Sequence, residues 1–167
     1  ADALENHPFF KTILQRVGLR DVFYEMGIEI AENVVELFRD LPPDHPFFQQ
    51  LTFMTAEEIP VYEAILQKVR TKGKGEVSED DQIKVIRLCF DYIEPRHRFG
   101  LLTDEVMAKI VAARREFDEG LPADLAGMIE HYRPNRFIAS GSIIDNVLFG
   151  RIGHKHADGS EKIRAIV

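Results

Sequence analysis

Apolar residues recur along this chain at steps of three and four, a period that predicts helices. In "DVFYEMGIEIAENVVELFRDL" the positions Phe23, Met26, Ile30, Val34, Leu37, Phe38 and Leu41 draw one stripe, and Glu25, Glu29, Glu32 and Glu36 fall largely off it. The pattern predicts a long amphipathic helix, with Gly27 a tolerated weak point costing about 1 kcal/mol against Ala.

Further helices are marked by their starts. Thr55 stands three residues before Glu58, the spacing at which a hydroxyl and a carboxylate reciprocally satisfy two amide groups, and Ile65, Leu66 and Val69 follow. "SEDD" from Ser78 precedes Ile83, Ile86, Cys89, Phe90 and Ile93 in the same way. "TDEV" from Thr103 precedes Val106, Met107, Ile110, Val111 and Phe117, read as one side of a helix. Pro122 in "LPADLAGMIEHY" suits a first turn, where its missing N–H is no loss. No segment alternates apolar and polar residues without also fitting a helix, so the fold class expected is all-α, an irregular multi-helix bundle. "TKGKGE" reads as a mobile tip between helices.

A short echo joins "NHPFF" at Asn6–Phe10 to "DHPFF" at Asp44–Phe48. Each has an Asn or Asp able to cap, followed by His, Pro and two aromatics. They read as paired recognition elements or, more plainly, as two helix starts whose Phe pairs anchor in the core.

With 167 residues, 45% hydrophobic and 29% charged, the chain has enough apolar material to offset its ordering entropy without disulfides. A net charge of −7 argues against a nucleic-acid partner, which would require a concentrated basic face. The single cysteine, Cys89, lies in an apolar run and reads as a small buried hydrophobe. No run approaches the roughly 18 to 20 apolar residues that span a bilayer. No basic start leads into an apolar signal segment, and the location expected is cytoplasmic. The chain opens without Met and stops in mid-pattern at "EKIRAIV", and the expectation is a piece of a longer polypeptide.

Candidate chemistry is sparse. His154 and His156, with Asp158 near, are the strongest metal candidates, yet they lack a further His or Cys at ligand spacing. Arg96 and Arg98 in "PRHR" could grip an anion in pairs, or cap a helix C-terminus. "AARREF" reads as a solvated face. The glycines of "TKGKGE" lack the spacing that wraps a phosphate. No catalytic, cofactor-binding or metal residue is assigned.

The segment "SGSIIDNVLFGRI", Ser140 to Ile152, is physically a helix start. Ser142 can cap, Asp145 can sit at the positive end of the dipole, and Gly150 is placed to end the helix. Its residue order resembles the run after the Q-loop in ATP-binding subunits of ABC transporters, F-x-G-[ST]-[IV]-x-[DE]-N-[IVL]-[IL]-F-G. "FIASGSIIDNVLFGR", Phe137 to Arg151, follows that run with added length between Phe137 and Gly141. "GSEKIRAIV" is similar to the next helix of that subdomain. Residues 1–133, with "VGLRDVFYEMGIEIAENVVELF" and "RHRFGLLTDEV", look like a helical insertion found in some of these bacterial ATPases. The domains expected are therefore a helical insertion at 1–133 and a helical-subdomain segment at 134–167.

The resemblance implies a coupling role. It makes Ser142, Asp145, Asn146, Phe149, Gly150 and Arg151 interface or structural residues of a helical interaction module. The partners implied are the rest of the ABC ATPase and its transmembrane subunit or domain, with self-association as a further option. The implied place is cytoplasmic and peripheral to the inner membrane, through the parent. The chain lacks Walker A, Walker B, the "LSGGQ" signature and a switch His, and "YRPNR" stands where the Q-loop Gln belongs. ATP and magnesium are thus expected for the parent ATPase and not for this chain, since phosphoryl transfer needs cradle, metal ligand and positioned water together. The rival readings are a stand-alone cytoplasmic helical adaptor or sensor, and a metal-dependent enzyme using His154, His156 and Asp158.

Overall fold

The computed structural model describes residues 7–51, 54–127, 129, 135–139, 141 and 143–148. Regular structure among these is helical, without a strand. The chain divides into two compact units, Ala1–Glu119 and Gly120–Val167. The sequence boundary after 133 marks where the resemblance begins, a different criterion from compactness.

The first unit carries α1 (Pro8–Arg16), α2 (Leu19–Phe38), α3 (Pro46–Leu51), α4 (Ile59–Lys72), α5 (Glu79–Arg87), α6 (Glu94–His97) and α7, which begins at Asp104 and runs to Gly120. The hub is α2, packed against α1, α4, α5 and the 3₁₀ turn Leu88–Phe90. Serving several neighbours explains why more than one stripe of α2 is covered. Phe23, Met26, Ile30, Val34 and Phe38 are buried as the period predicts, but so are Tyr24, Ile28, Ala31 and Val35. Leu37, counted in the stripe, is instead 54% exposed.

Gly27 needs a different account from the sequence reading. A Cβ built there would lie 2.2 Å from the Val85 carbonyl oxygen and 2.7 Å from its carbon. The residue is the point where α2 and α5 meet backbone to backbone, and its lack of a side chain permits the crossing.

The helix starts follow local chemistry. Both His-Pro-Phe-Phe echoes are built alike, although not with Asn or Asp as the observed cap. The Phe9 N–H donates to His7 Nδ1 (3.2 Å), and the Phe47 N–H donates to His45 Nδ1 (3.3 Å). Phe10 packs on Phe90 and Phe48 on Phe38, with centroids 5.6 and 4.7 Å apart. The core-anchor reading holds for these rings, while Phe47 is exposed. At Thr55 only half of the expected box forms. Glu58 accepts from the Thr55 N–H (2.8 Å), and α4 starts at Ile59 with Pro60 in its first turn. Ser78 and Thr103 accept from the N–H groups of Asp81 and Val106, at 3.4 and 3.3 Å, as their spacing predicts.

One periodic run breaks. The stripe from Ile83 to Ile93 reads as one helix, but α5 ends at Arg87 and tightens into the 3₁₀ turn, which rotates later residues off the stripe. Val85, Ile86 and Leu88 become the buried members, and Ile93 lies exposed. On α7, Val106 is buried and Ile110 and Phe117 are half-buried, while Met107 and Val111 face outward.

The "TKGKGE" tip is pinned rather than free. It forms the 3₁₀ turn Lys74–Glu76, its Lys74 carbonyl accepts from the Tyr24 hydroxyl (3.0 Å), and the Lys74 ammonium pairs with Glu25. Beneath it, Asp81 joins α5 to α4 through Lys68 (2.7 Å).

In the second unit, Pro122 caps α8 (Ala123–Ala126) instead of entering its first turn. A further short helix, α9, spans Ile143–Leu148. Leu125 and Ile138 are buried there.

Candidate functional site

Within the segment singled out by sequence, Asn146 is tied back to Ile138 and Gly141. Its side-chain oxygen accepts from the Ile138 N–H (2.7 Å), and its amide nitrogen donates to the carbonyls of Ile138 (3.0 Å) and Gly141 (3.4 Å). A side-chain amide thereby pairs with both backbone groups of one residue, as a neighbouring strand would. Asn suits this role because it has a donor and an acceptor on one planar head; Asp would lack the donor. The clamp fixes the entry to α9 and holds Ile138 in its buried place.

Close in sequence to this clamp, three large apolar side chains are exposed. Phe137 is 63% exposed, Ile143 75% and Val147 61%. Ile143 and Val147 stand four apart, the spacing that puts two side chains on one face of a helix. Of the residues named by the resemblance, Ser142, Phe149, Gly150 and Arg151 lie outside the described residues. So do the metal candidates His154, His156 and Asp158. Asp145 lies within α9, its side chain outside the description.

In the first unit, "PRHR" reports on capping rather than on an anion site. Arg98 ends α6 in the left-handed conformation, at φ 59°, and its Nε donates to the Pro95 carbonyl (3.3 Å). Such a conformation is unfavourable for a residue with a Cβ. It is held by neighbours that the sequence reading missed. Glu94 accepts from the Tyr92 hydroxyl (2.8 Å) and from the N–H groups of Gly100 (2.9 Å) and Leu102 (3.1 Å). The Tyr92 oxygen in turn accepts from the Phe99 N–H (3.1 Å), and His97 Nδ1 from the Ile93 N–H (2.9 Å). Desolvation acts to raise the Glu94 pKa, but hydrogen bonds led by the Leu102 N–H outweigh it and hold the carboxyl below its ordinary range. The signal for this knot was the acid directly before Pro95, with Gly100 at φ 73° closing the loop.

Other reactive groups are committed to structure. The Cys89 thiol donates to the Phe23 carbonyl (3.1 Å), and burial pushes its pKa up to about 12, the reverse of what a nucleophile needs. Burial also pushes the Tyr62 hydroxyl up to about 12. A polar groove of about 750 Å3 between α2 and α4 is bridged by two ion pairs, Arg39 with Glu63 at 2.8 Å and Arg70 with Glu32 at 3.3 Å, with Glu36 also on its lining. Among the described residues no group of three or more His, Cys, Asp and Glu is placed to hold a metal. No helix among them is long and apolar enough to cross a membrane.

No protein-family model, curated protein or solved structure matches the chain at a significant level.

Proposed function

We propose that the chain is a non-catalytic helical interaction module, with the second unit as its docking end. The observation that carries this reading is the apolar surface of Phe137, Ile143 and Val147, all more than 60% exposed. Large apolar side chains this exposed, two of them one helical turn apart, are the kind of material from which protein contact sites are built. The Asn146 clamp ties the backbone beside Phe137 to the helix that carries Ile143 and Val147, which favours a preorganised surface.

The partner we propose is the transmembrane half of an ABC transporter whose ATP-binding protein contains this chain. The reading rests on the residue order from Phe137 to Arg151, and the exposed residues fall inside that run. The parent supplies ATP, magnesium and hydrolysis, and this chain passes nucleotide-driven movement to the membrane part. The test is an immunoblot of membrane and other fractions of the source cells with an antibody to the chain. A membrane-sedimenting band far larger than 19.1 kDa is expected. A band of about chain size outside the membrane fraction would replace the transporter reading with a stand-alone adaptor.

A further inference from the structure

A second site, independent of the transporter reading, lies in the first unit. A cavity of about 60 Å3 opens between α1, the start of α2 and α5. Leu14 and Ile86 form its buried floor; Ile83, Phe10 and Phe90 stand nearer the mouth. The aromatic lip is already braced, because Phe90 lies 5.6 Å from Phe10 and meets Phe23 edge-on at 5.8 Å. The 3₁₀ turn brings Phe90 here, out of the register that α5 would otherwise have continued.

The rim carries Lys11 and Arg20 against a single acid, Glu79, together with Arg87, which also borders Glu58 and Asp91 on its other side. On a chain of net charge −7, this is a local reversal of sign. Arg20 is the best placed of the three. It is half-buried, and its guanidinium donates to Gln82 Oε1 (3.1 Å), while Gln82 donates to the Val77 carbonyl (2.9 Å). Fixing one edge of the fork in this way pre-orients the head for a carboxylate.

Size decides the class of occupant. Sites for small metabolites commonly enclose about 300 to 1,000 Å3, whereas this one has room for the end of a single branched or aromatic side chain. We propose that the cavity receives the end of one Leu or Phe side chain of an acidic segment in a partner protein, its flanking carboxylates meeting Lys11 and Arg20. An apolar anchor in a preformed pocket with complementary charges around it is a common mode of peptide recognition.

The test is a nitrogen-15 chemical-shift titration of the full 167-residue chain. The probe is an acetylated, amidated peptide of sequence Glu-Asp-Phe-Glu-Asp, alongside versions with Phe replaced by Ala or with Lys flanks, and phenylacetate alone. Saturable shifts are expected at Leu14, Arg20, Ile83 and Ile86. Loss of the Phe ring should weaken binding by about tenfold or more, and added salt should weaken it further. Ile83→Trp should fill the cavity and abolish the shifts. Lys11→Glu alters an exposed residue and should weaken binding severalfold with the helical circular dichroism unchanged. Equal binding of the Lys-flanked peptide would overturn the proposal, as would shifts elsewhere or none at millimolar peptide. Phenylacetate binding as tightly as the peptide would replace it with a small-carboxylate site.

Discussion

The described residues of the two units differ in how far their apolar side chains are gathered into one core. In the first, one core cluster runs from Leu14 to Val106, and α2 buries residues on more than one face. In the second, Leu125 and Ile138 are buried while Phe137, Ile143 and Val147 stand exposed. Large apolar side chains each gain about 1.5 to 3 kcal/mol on full burial. Exposed apolar side chains occur in the first unit too, Leu37, Phe47, Ile93, Met107 and Val111 among them, but none of those exceeds 54% exposure, whereas Phe137, Ile143 and Val147 stand at 63, 75 and 61% within eleven residues of chain. The first unit is organised around one core cluster, and the proposed reading makes the exposed residues of the second a docking surface.

The comparison breaks most sharply at Gly27. Gly27→Ala should destabilise the first unit by about 3 kcal/mol, because the clash is with backbone and overpacking of this kind exceeds the gain in helix propensity. Chemical denaturation of the variant measures this, and a neutral or stabilising result would remove the close α2–α5 crossing.

Next in size is Glu94→Gln. It replaces a carboxylate that accepts three hydrogen bonds with an amide having one acceptor oxygen, and should cost about 2 kcal/mol. Amide exchange should accelerate at Gly100 and Leu102 before the rest of the first unit.

Asn146→Ala should cost about 1 kcal/mol, local to the second unit. The faster-exchanging amide should be Ile138, with the denaturation midpoint of the first unit unmoved. Acid provides a gentler probe of the first. The Asp81 pKa is lowered, chiefly by its hydrogen bond from Lys68, so its stabilisation is present above the ordinary carboxylate pKa, about 4. That contribution is lost as pH falls through the lower folded value. Stability curves of the protein and of Asp81→Asn should therefore converge toward the acid end.

The smallest effect on stability belongs to the residues proposed to matter most for function. Ile143→Ser with Val147→Ser should leave the unfolding free energy within about 0.5 kcal/mol, since both side chains are already in water.

The helical class and most helix starts were legible in the sequence, because a hydroxyl or carboxylate at a fixed offset acts over a single turn. Pairings between distant elements were not. The period assigned Gly27 to an ordinary helix position, since nothing local announces that Val85, on another helix, will approach it. Likewise the break after Arg87 was hidden, because Leu88, Cys89 and Phe90 keep an apolar composition through the change to a 3₁₀ turn. "PRHR" drew attention by charge, while the residues that fix the loop were the less conspicuous Tyr92 and Glu94. At the other end, the residue order singled out Asn146. It did not disclose that its side chain would span back to Ile138, a contact that depends on the path of the intervening loop.

The most direct test of the docking account is site-specific photo-crosslinking in the source cells, from position 147 in the proposed docking face and from Arg114 on the exposed side of α7 as control. Mass spectrometry of the adducts should find peptides of a transporter transmembrane subunit or domain joined to position 147 and absent from position 114. The same adducts from both positions, or none from 147, would contradict the claim that the second unit presents its apolar face to a membrane partner.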